Sequence, residues 1–396
     1  VRAWVRIVLA LFQGEMPGLD DGNTATMTTI RFYLPRWFAL LANALMLGLG
    51  LSAPALAQTD QTDLRQPAIA VKAPERTFLN AITLAGARLV AVGEHGVIIY
   101  SDDQGVTWHQ ARVPVDVLLN AVAFANAQVG WAAGHFGVIL YTADGGKTWQ
   151  KQLDGNQVNQ LALEAAKIAT TQNSNLVTTD FALKRASLFL QTGPDKPFLA
   201  VAALSPTQAI AVGAYRLADR TTDGGKTWQD TSLNISDRLS HNLYGIAKIG
   251  QDIYIAAETG PVFLSKDDGV NFSAVTAPSG TTLFGVLGTG DGGVLVYGVA
   301  GAAYLSHDSG KSWRNVAINT TTNITTGLLL KSGAVLLASE SGMLYISRDN
   351  GLTFSQVPEM VPMALTGLAQ MMNGDVAAVG FNGVNILPAA DFAQSQ

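Results

Sequence analysis

The chain has 396 residues, 48% of them hydrophobic and only 14% charged, with 40 glycines and no cysteine. Low charge and abundant turn-formers are expected of an all-β repeat protein rather than a helical enzyme. A net charge of −5 argues against nucleic acid or an anionic membrane surface as a partner, and the lack of cysteine excludes both disulfides and a lipidated cysteine.

Met27 begins a stretch carrying Arg31 and Arg36, followed by an apolar run from Ala39 to Leu51 and the small-x-small triplet Ala55-Leu56-Ala57. A basic start, a short apolar segment and such a triplet form a secretory signal, with cleavage expected after Ala57. Residues 1–26 precede a complete signal and are expected to reflect a misassigned start, with 27–57 the signal peptide and 58–396 the folded part. Export without cysteine suits the periplasm, and no later stretch is long and apolar enough for a membrane span. Without residues 1–57 the chain keeps 21 basic and 27 acidic residues.

One turn pattern, Ser/Thr-x-Asp-x-Gly-x-Thr-Trp/Phe, then occurs six times. Its aspartates are Asp103, Asp144, Asp223, Asp267, Asp308 and Asp349, and its aromatic residues are Trp108, Trp149, Trp228, Phe272, Trp313 and Phe354. The aspartate accepts hydrogen bonds from its own loop, the glycine supplies a positive φ, and the aromatic ring is buried between sheets. Such Asp boxes are structural here. Asp102 to Gly105 has the start of a calcium loop but not its remaining ligands. The aspartates lie 41, 79, 44, 41 and 41 residues apart. A period near 41 predicts one four-stranded propeller blade per repeat.

In the first repeat the strands are expected at Phe78–Leu84, Arg88–Gly93, Val97–Tyr100 and about Trp108–Val113. A seventh copy, Ala364 to Leu387, has three strands and no box. Residues Pro67 to Lys72 are expected to supply its missing strand and so close a seven-bladed ring. In the long interval, Val158, Leu161, Ala162, Ala165, Ile168 and Ala169 recur at helical spacing. This predicts a helical insertion over about 156–192 between blades two and three, with a second helix starting near Thr179 and stopping at Gly193-Pro194.

Strand direction places the loops between second and third strands on the same face as the blade-to-blade connections. The repeats align two rings of residues around the channel on that face. The first is Asn80, Asn120, Leu199, Tyr244, Phe284, Thr326 and Thr366. The second is Glu94, His135, Tyr215, Glu258, Val299, Glu340 and Phe381, with His95, Phe136, Arg216 and Asn382 beside it. Mixed polar and aromatic groups next to a helical lid are where a ligand is expected.

Repeats such as Ala143-Asp144-Gly145-Gly146-Lys147-Thr148-Trp149 and Gly130-Trp131-Ala132-Ala133-Gly134-His135-Phe136-Gly137 resemble the photosystem II stability/assembly factor group of Asp-box propellers, over about residues 66–389. The resemblance implies an exported seven-bladed propeller that binds membrane-protein intermediates and is no enzyme. It also implies an arginine patch, of which the channel rings offer Arg216, with Arg220 nearby. The expected reading is a monomeric scaffold for an exported or membrane protein client, without cofactor or catalytic residue. The five histidines have no metal-ligand spacing. The alternative is a carbohydrate-binding or sialidase-like propeller, for which Glu94 and Glu340 are the carboxylate pair.

Overall fold

The computed structural model describes residues 64–172, 176–276, 278 and 280–392. All of them belong to the unit spanning 58–396. The signal and cleavage site expected within 1–57 lie outside the described residues.

The described strands form seven antiparallel sheets in chain order. In sheet 1 the strands are β1 (Leu79–Ala85), β2 (Arg88–Gly93), β3 (Ile98–Ser101) and the two-residue β4 (His109–Gln110). Five further sheets repeat this four-stranded meander. Sheet 7 has three strands, β25 (Leu365–Gln370), β26 (Val376–Gly380) and β27 (Gly383–Leu387). The second strand of each sheet is buried along almost its whole length, because it is packed on both faces by neighbouring sheets. That explains its continuous apolar sequence where one-sided burial would alternate.

One apolar cluster joins each successive pair of sheets. A seventh joins Leu79, Leu89 and Ile99 of sheet 1 to Ala369, Ala377 and Val379 of sheet 7. Thr366 Oγ1 at the start of β25 donates to Leu79 O at 2.8 Å.

The chain before sheet 1 departs from expectation. Residues 67–72 form no strand, and sheet 7 stays three-stranded. Ala68 N donates to Val113 O, Val71 N to Gln110 Oε1 and Gln110 Nε2 to Ile69 O, all toward sheet 1. Pro67 and Pro74 lack the amides a ladder needs. The segment meets sheet 7 through Val71, which packs on the cluster containing Ala369 and Val379, and through the short turn Pro74–Arg76, which abuts Gly383: a Cβ there would stand 1.9 Å from Glu75 O.

The insertion is helical as expected, with α1 at Gly155–Gln172 and α2 at Leu176–Thr192, the second starting three residues earlier than expected. The two helices meet through Ala162, Ala166, Ala182 and Ala186 beside Leu233, a small-residue seam that permits close approach. Val158 and Phe189 enter the core between sheets 2 and 3.

All six turns adopt the expected geometry. In the first, Ser101 Oγ donates to Asp103 Oδ1 (2.8 Å), Gly105 N to Ser101 Oγ (2.8 Å), and Thr107 N and Oγ1 to the two Asp103 oxygens (2.9 and 2.5 Å). The same set recurs around Asp144, Asp223, Asp267, Asp308 and Asp349. The Thr107 hydroxyl and amide bring Asp103 down to about 2, and Ser312 does the same for Asp308. Trp149, Trp228 and Phe272 are buried, whereas Trp108, Trp313 and Phe354 are half-buried.

Candidate functional site

The first ring is built by one device repeated seven times. Each inner strand has a register shift at its second residue, a bulge that leaves that residue out of the ladder. The bulged residues are Asn80, Asn120, Leu199, Tyr244, Phe284, Thr325 and Thr366. Thr325 therefore replaces Thr326 in the ring: Thr326 pairs with Ala338, and the shift falls one residue earlier. Neighbouring members touch across sheets. Asn80 Nδ2 donates to Asn120 Oδ1 at 3.1 Å and Asn120 Nδ2 to Phe198 O at 2.7 Å. The Tyr244 and Phe284 rings meet edge-on at 5.4 Å, and Thr325 Oγ1 donates to Leu365 O at 2.5 Å.

The second ring is equally regular. In every sheet the first residue after the second strand donates its N–H to the carbonyl that precedes the inner strand. The donors are Glu94, His135, Ala214, Glu258, Val299, Glu340 and Phe381. Ala214, not Tyr215, is the member from sheet 3. Tyr215 stands one place on, where the backbone is left-handed (φ 53°), as it is at His95, Phe136, Thr259 and Ala300. It is 55% exposed, and Phe381 is 68% exposed. The Phe381 ring lies 6.0 Å from Phe78, and that of Tyr215 lies 6.1 Å from Phe189 of the insertion.

The glutamates have partners. Glu94 Oε1 accepts from Phe78 N, Glu258 Oε2 from Asn242 N, and Glu340 from both Asn323 N and Asn323 Nδ2. Each caps the amide just before its own inner strand. His95 Nδ1 meets Asp116 Oδ1 at 2.9 Å, and burial draws His135 below the usual histidine range.

Arg216 takes the third loop position, which is glycine in the six other sheets. The φ values there run from 62° to 98°, and Arg216 adopts 61°. A Cβ at Gly96, Gly301 or Gly342 would lie 1.8–2.4 Å from the carbonyl of a passing chain. In sheet 3 the Arg216 guanidinium donates to Asp237 O while its backbone N–H bonds His241 O. Arg216 is thus buried, at 8% exposure.

Two features escaped the sequence. Gln152 Oε1 accepts from both Trp131 Nε1 (3.2 Å) and Trp228 Nε1 (3.1 Å), while its Nε2 donates to Gly224 O (2.8 Å), joining sheet 2 to the turn of sheet 3. Arg185 of α2 donates to Tyr215 O, Ser240 Oγ and Ser232 Oγ. A glutamine on a short outer strand and an arginine on a helix give no periodic signal.

Together, the seven sheets define an all-β, propeller-like chain whose inner-strand starts carry aromatic and capped polar groups. The family model for the photosynthesis system II assembly factor YCF48 matches residues 100–183 and 186–359, and the chain belongs to that family. It is 35% identical over 75 residues to the photosystem II assembly lipoprotein Ycf48 of Synechococcus sp. (strain CC9902), a match covering 19% of this chain and 22% of the relative. Among solved structures it resembles YCF48 bound to a D1 peptide, with 16% identity, TM-score 0.59, 81% of this chain and 98% of the other. YCF48 from Cyanidioschyzon merolae matches at 15% identity, TM-score 0.54, 78% and 95%. The WD40 propeller domain of Doa1 has a similar fold, with 12% identity, TM-score 0.55, 82% and 96%.

Proposed function

We propose that this chain is a non-enzymatic protein-binding assembly factor that holds a segment of an exported or membrane protein client at the channel face. The observation that carries this reading is the state of the ring glutamates. Glu94, Glu258 and Glu340 each accept hydrogen bonds from local amides, so their carboxylates build the loops. The large apolar side chains that the second-ring loops expose are both aromatic, Tyr215 and Phe381, beside exposed polar neighbours such as His95, Glu340 and Asn382. Exposed aromatic anchors on a rigid rim suit binding of a peptide. Family membership supports the same reading, as does the neighbouring fold whose solved form carries a D1 peptide.

We read the seven sheets as seven blades of a closed ring and the chain as a periplasmic monomer cut after Ala57. The carbohydrate alternative gains no support from Glu94 and Glu340.

The test is capture of client from a membrane extract by the full chain. Tyr215→Ala combined with Phe381→Ala is expected to lower recovery at least tenfold with the melting temperature unchanged. Undiminished recovery would contradict the reading, as would glycan hydrolysis abolished by Glu340→Gln.

A further inference from the structure

The third sheet departs from the other six in one more way. At the middle of its third strand, β11 (Ala218–Thr221), stands Asp219. The matching residues elsewhere are Ile99, Leu140, Phe263, Tyr304, Tyr345 and Asn385. Asp219 is 0% exposed, and neither carboxylate oxygen has a hydrogen-bond partner. Directly opposite on β12 (Gln229–Asp230) is Asp230. Its Oδ1 accepts from Ser232 N and Oγ, and its Oδ2 is buried without a partner. Cross-strand partners project to the same face. Ala211, paired with Asp219 on the other side, lies in the cluster with Val158 and Phe189 of the insertion, and α1 packs against β12. The two acids therefore sit under the helical hairpin.

Two carboxylates cannot both be ionised in such a place without solvent or a counter-ion for each, whereas one proton between them supplies a donor to the bare oxygens. The surrounding cations act on Asp230 and not on Asp219. Arg185, from α2, donates to the neutral Tyr215 O, Ser232 and Ser240, and its charge, like that of Arg216, favours an ionised Asp230. The charge acting on Asp219 is that of Asp230 itself. Arg216, from the loop before β11, is committed to Asp237, whose carboxylate is in turn paired with His241. Arg220, next on β11, is half-buried with its Nε unpartnered. Helix α1 carries only Glu164 and Lys167, both exposed; beyond α2, Lys196 lies over the Phe189 ring and is paired with Asp195. On sheet 2, Lys151 is paired with Asp154.

We propose that Asp219 and Asp230 share a single proton, and that this proton holds the α1–α2 hairpin down on the third sheet beside the channel mouth. Burial, then the Asp230 charge, raises Asp219 well above the usual carboxylate range, and burial raises Asp230 as well. The docked hairpin thus binds a proton that the lifted hairpin releases to water. Docking is complete below the ordinary aspartate range and weakens as pH rises through the raised value. Because Arg185 bonds the backbone of Tyr215, lifting α2 frees that side of the mouth. The inference stands whatever the client proves to be.

The test is hydrogen–deuterium exchange of the full chain between pH 5 and 9, corrected for the intrinsic pH dependence of amide exchange. Opening of residues 155–172 and 179–192 is expected to increase by up to about tenfold per pH unit, the limit for one released proton, while sheets 5 and 6 stay unchanged. Asp219→Asn, whose amide replaces the shared proton as donor, is expected to remove the slope. Should that variant not fold, Asp219→Leu combined with Asp230→Asn, which leaves neither acid to titrate, makes the same comparison. A flat profile in the unaltered chain would overturn the proposal. So would a slope that survives in the variants, or one shared equally by sheets 5 and 6.

Discussion

At the scale of single residues, the chain uses its polar side chains mainly to satisfy buried or turning backbone. The six box aspartates do this in the turns, and the ring glutamates do it at the channel face. Both sets are readable as residues in sequence, but only the first announces its role, because the box donors lie within four positions of the acceptor. Glu94 reaches Phe78 N from sixteen residues away; repeat alignment finds such a glutamate without revealing its partner. Gln152 is the opposite case, an inconspicuous residue on which two buried indoles depend. Gln152→Leu leaves Trp131 and Trp228 with unmet N–H groups and is expected to cost about 2–4 kcal/mol. Glu258→Gln keeps an acceptor for Asn242 N and should stay within about 0.5 kcal/mol. Chemical denaturation of both variants checks the contrast, and equal losses would contradict it.

At the scale of elements, the loop between second and third strands is the most informative unit. Its seven copies share one backbone bond at the first position, and six of them share a glycine at the third. The sequence showed the loop but misplaced Tyr215 by one residue, because sheet 3 lacks the glycine that fixes the alignment elsewhere. Thr326 was misplaced for a related reason: adjacent threonines hide which of them is bulged. The expectation of a strand at residues 67–72 rested on the missing outer strand of the seventh repeat, and it failed because the segment instead bonds Val113 O and the Gln110 side chain of the first. The glycine itself can be tested. A Cβ at Gly342 would lie 1.8 Å from Val361 O at a φ of 82°, so Gly342→Ala should cost about 3 kcal/mol or more in melting experiments. A neutral result would mean that the loop is free to shift.

At the scale of the whole molecule, stability comes from repetition. Each sheet buries both faces of its second strand only because a neighbour stands on either side, so no repeat can complete its core alone. The period of 41 and the single long interval make this organisation, and the insertion, legible in the amino-acid sequence. What the sequence could not supply was the nature of the join between first and last sheets. The join is made by Thr366, by the apolar cluster around Leu79 and Val379, and by the turn at Pro74–Arg76. A return of the last sheet to the first is the claim on which the channel, its two rings and the proposed mouth all depend. It is tested most directly by placing cysteines at Phe78 and Phe381, whose rings lie 6.0 Å apart, in a chain that has no other thiol. A short bis-maleimide should link the two ends in the folded protein and fail to link them in denaturant. Equal reaction in both states, or no link in a chain with an unchanged melting temperature, would contradict the ring.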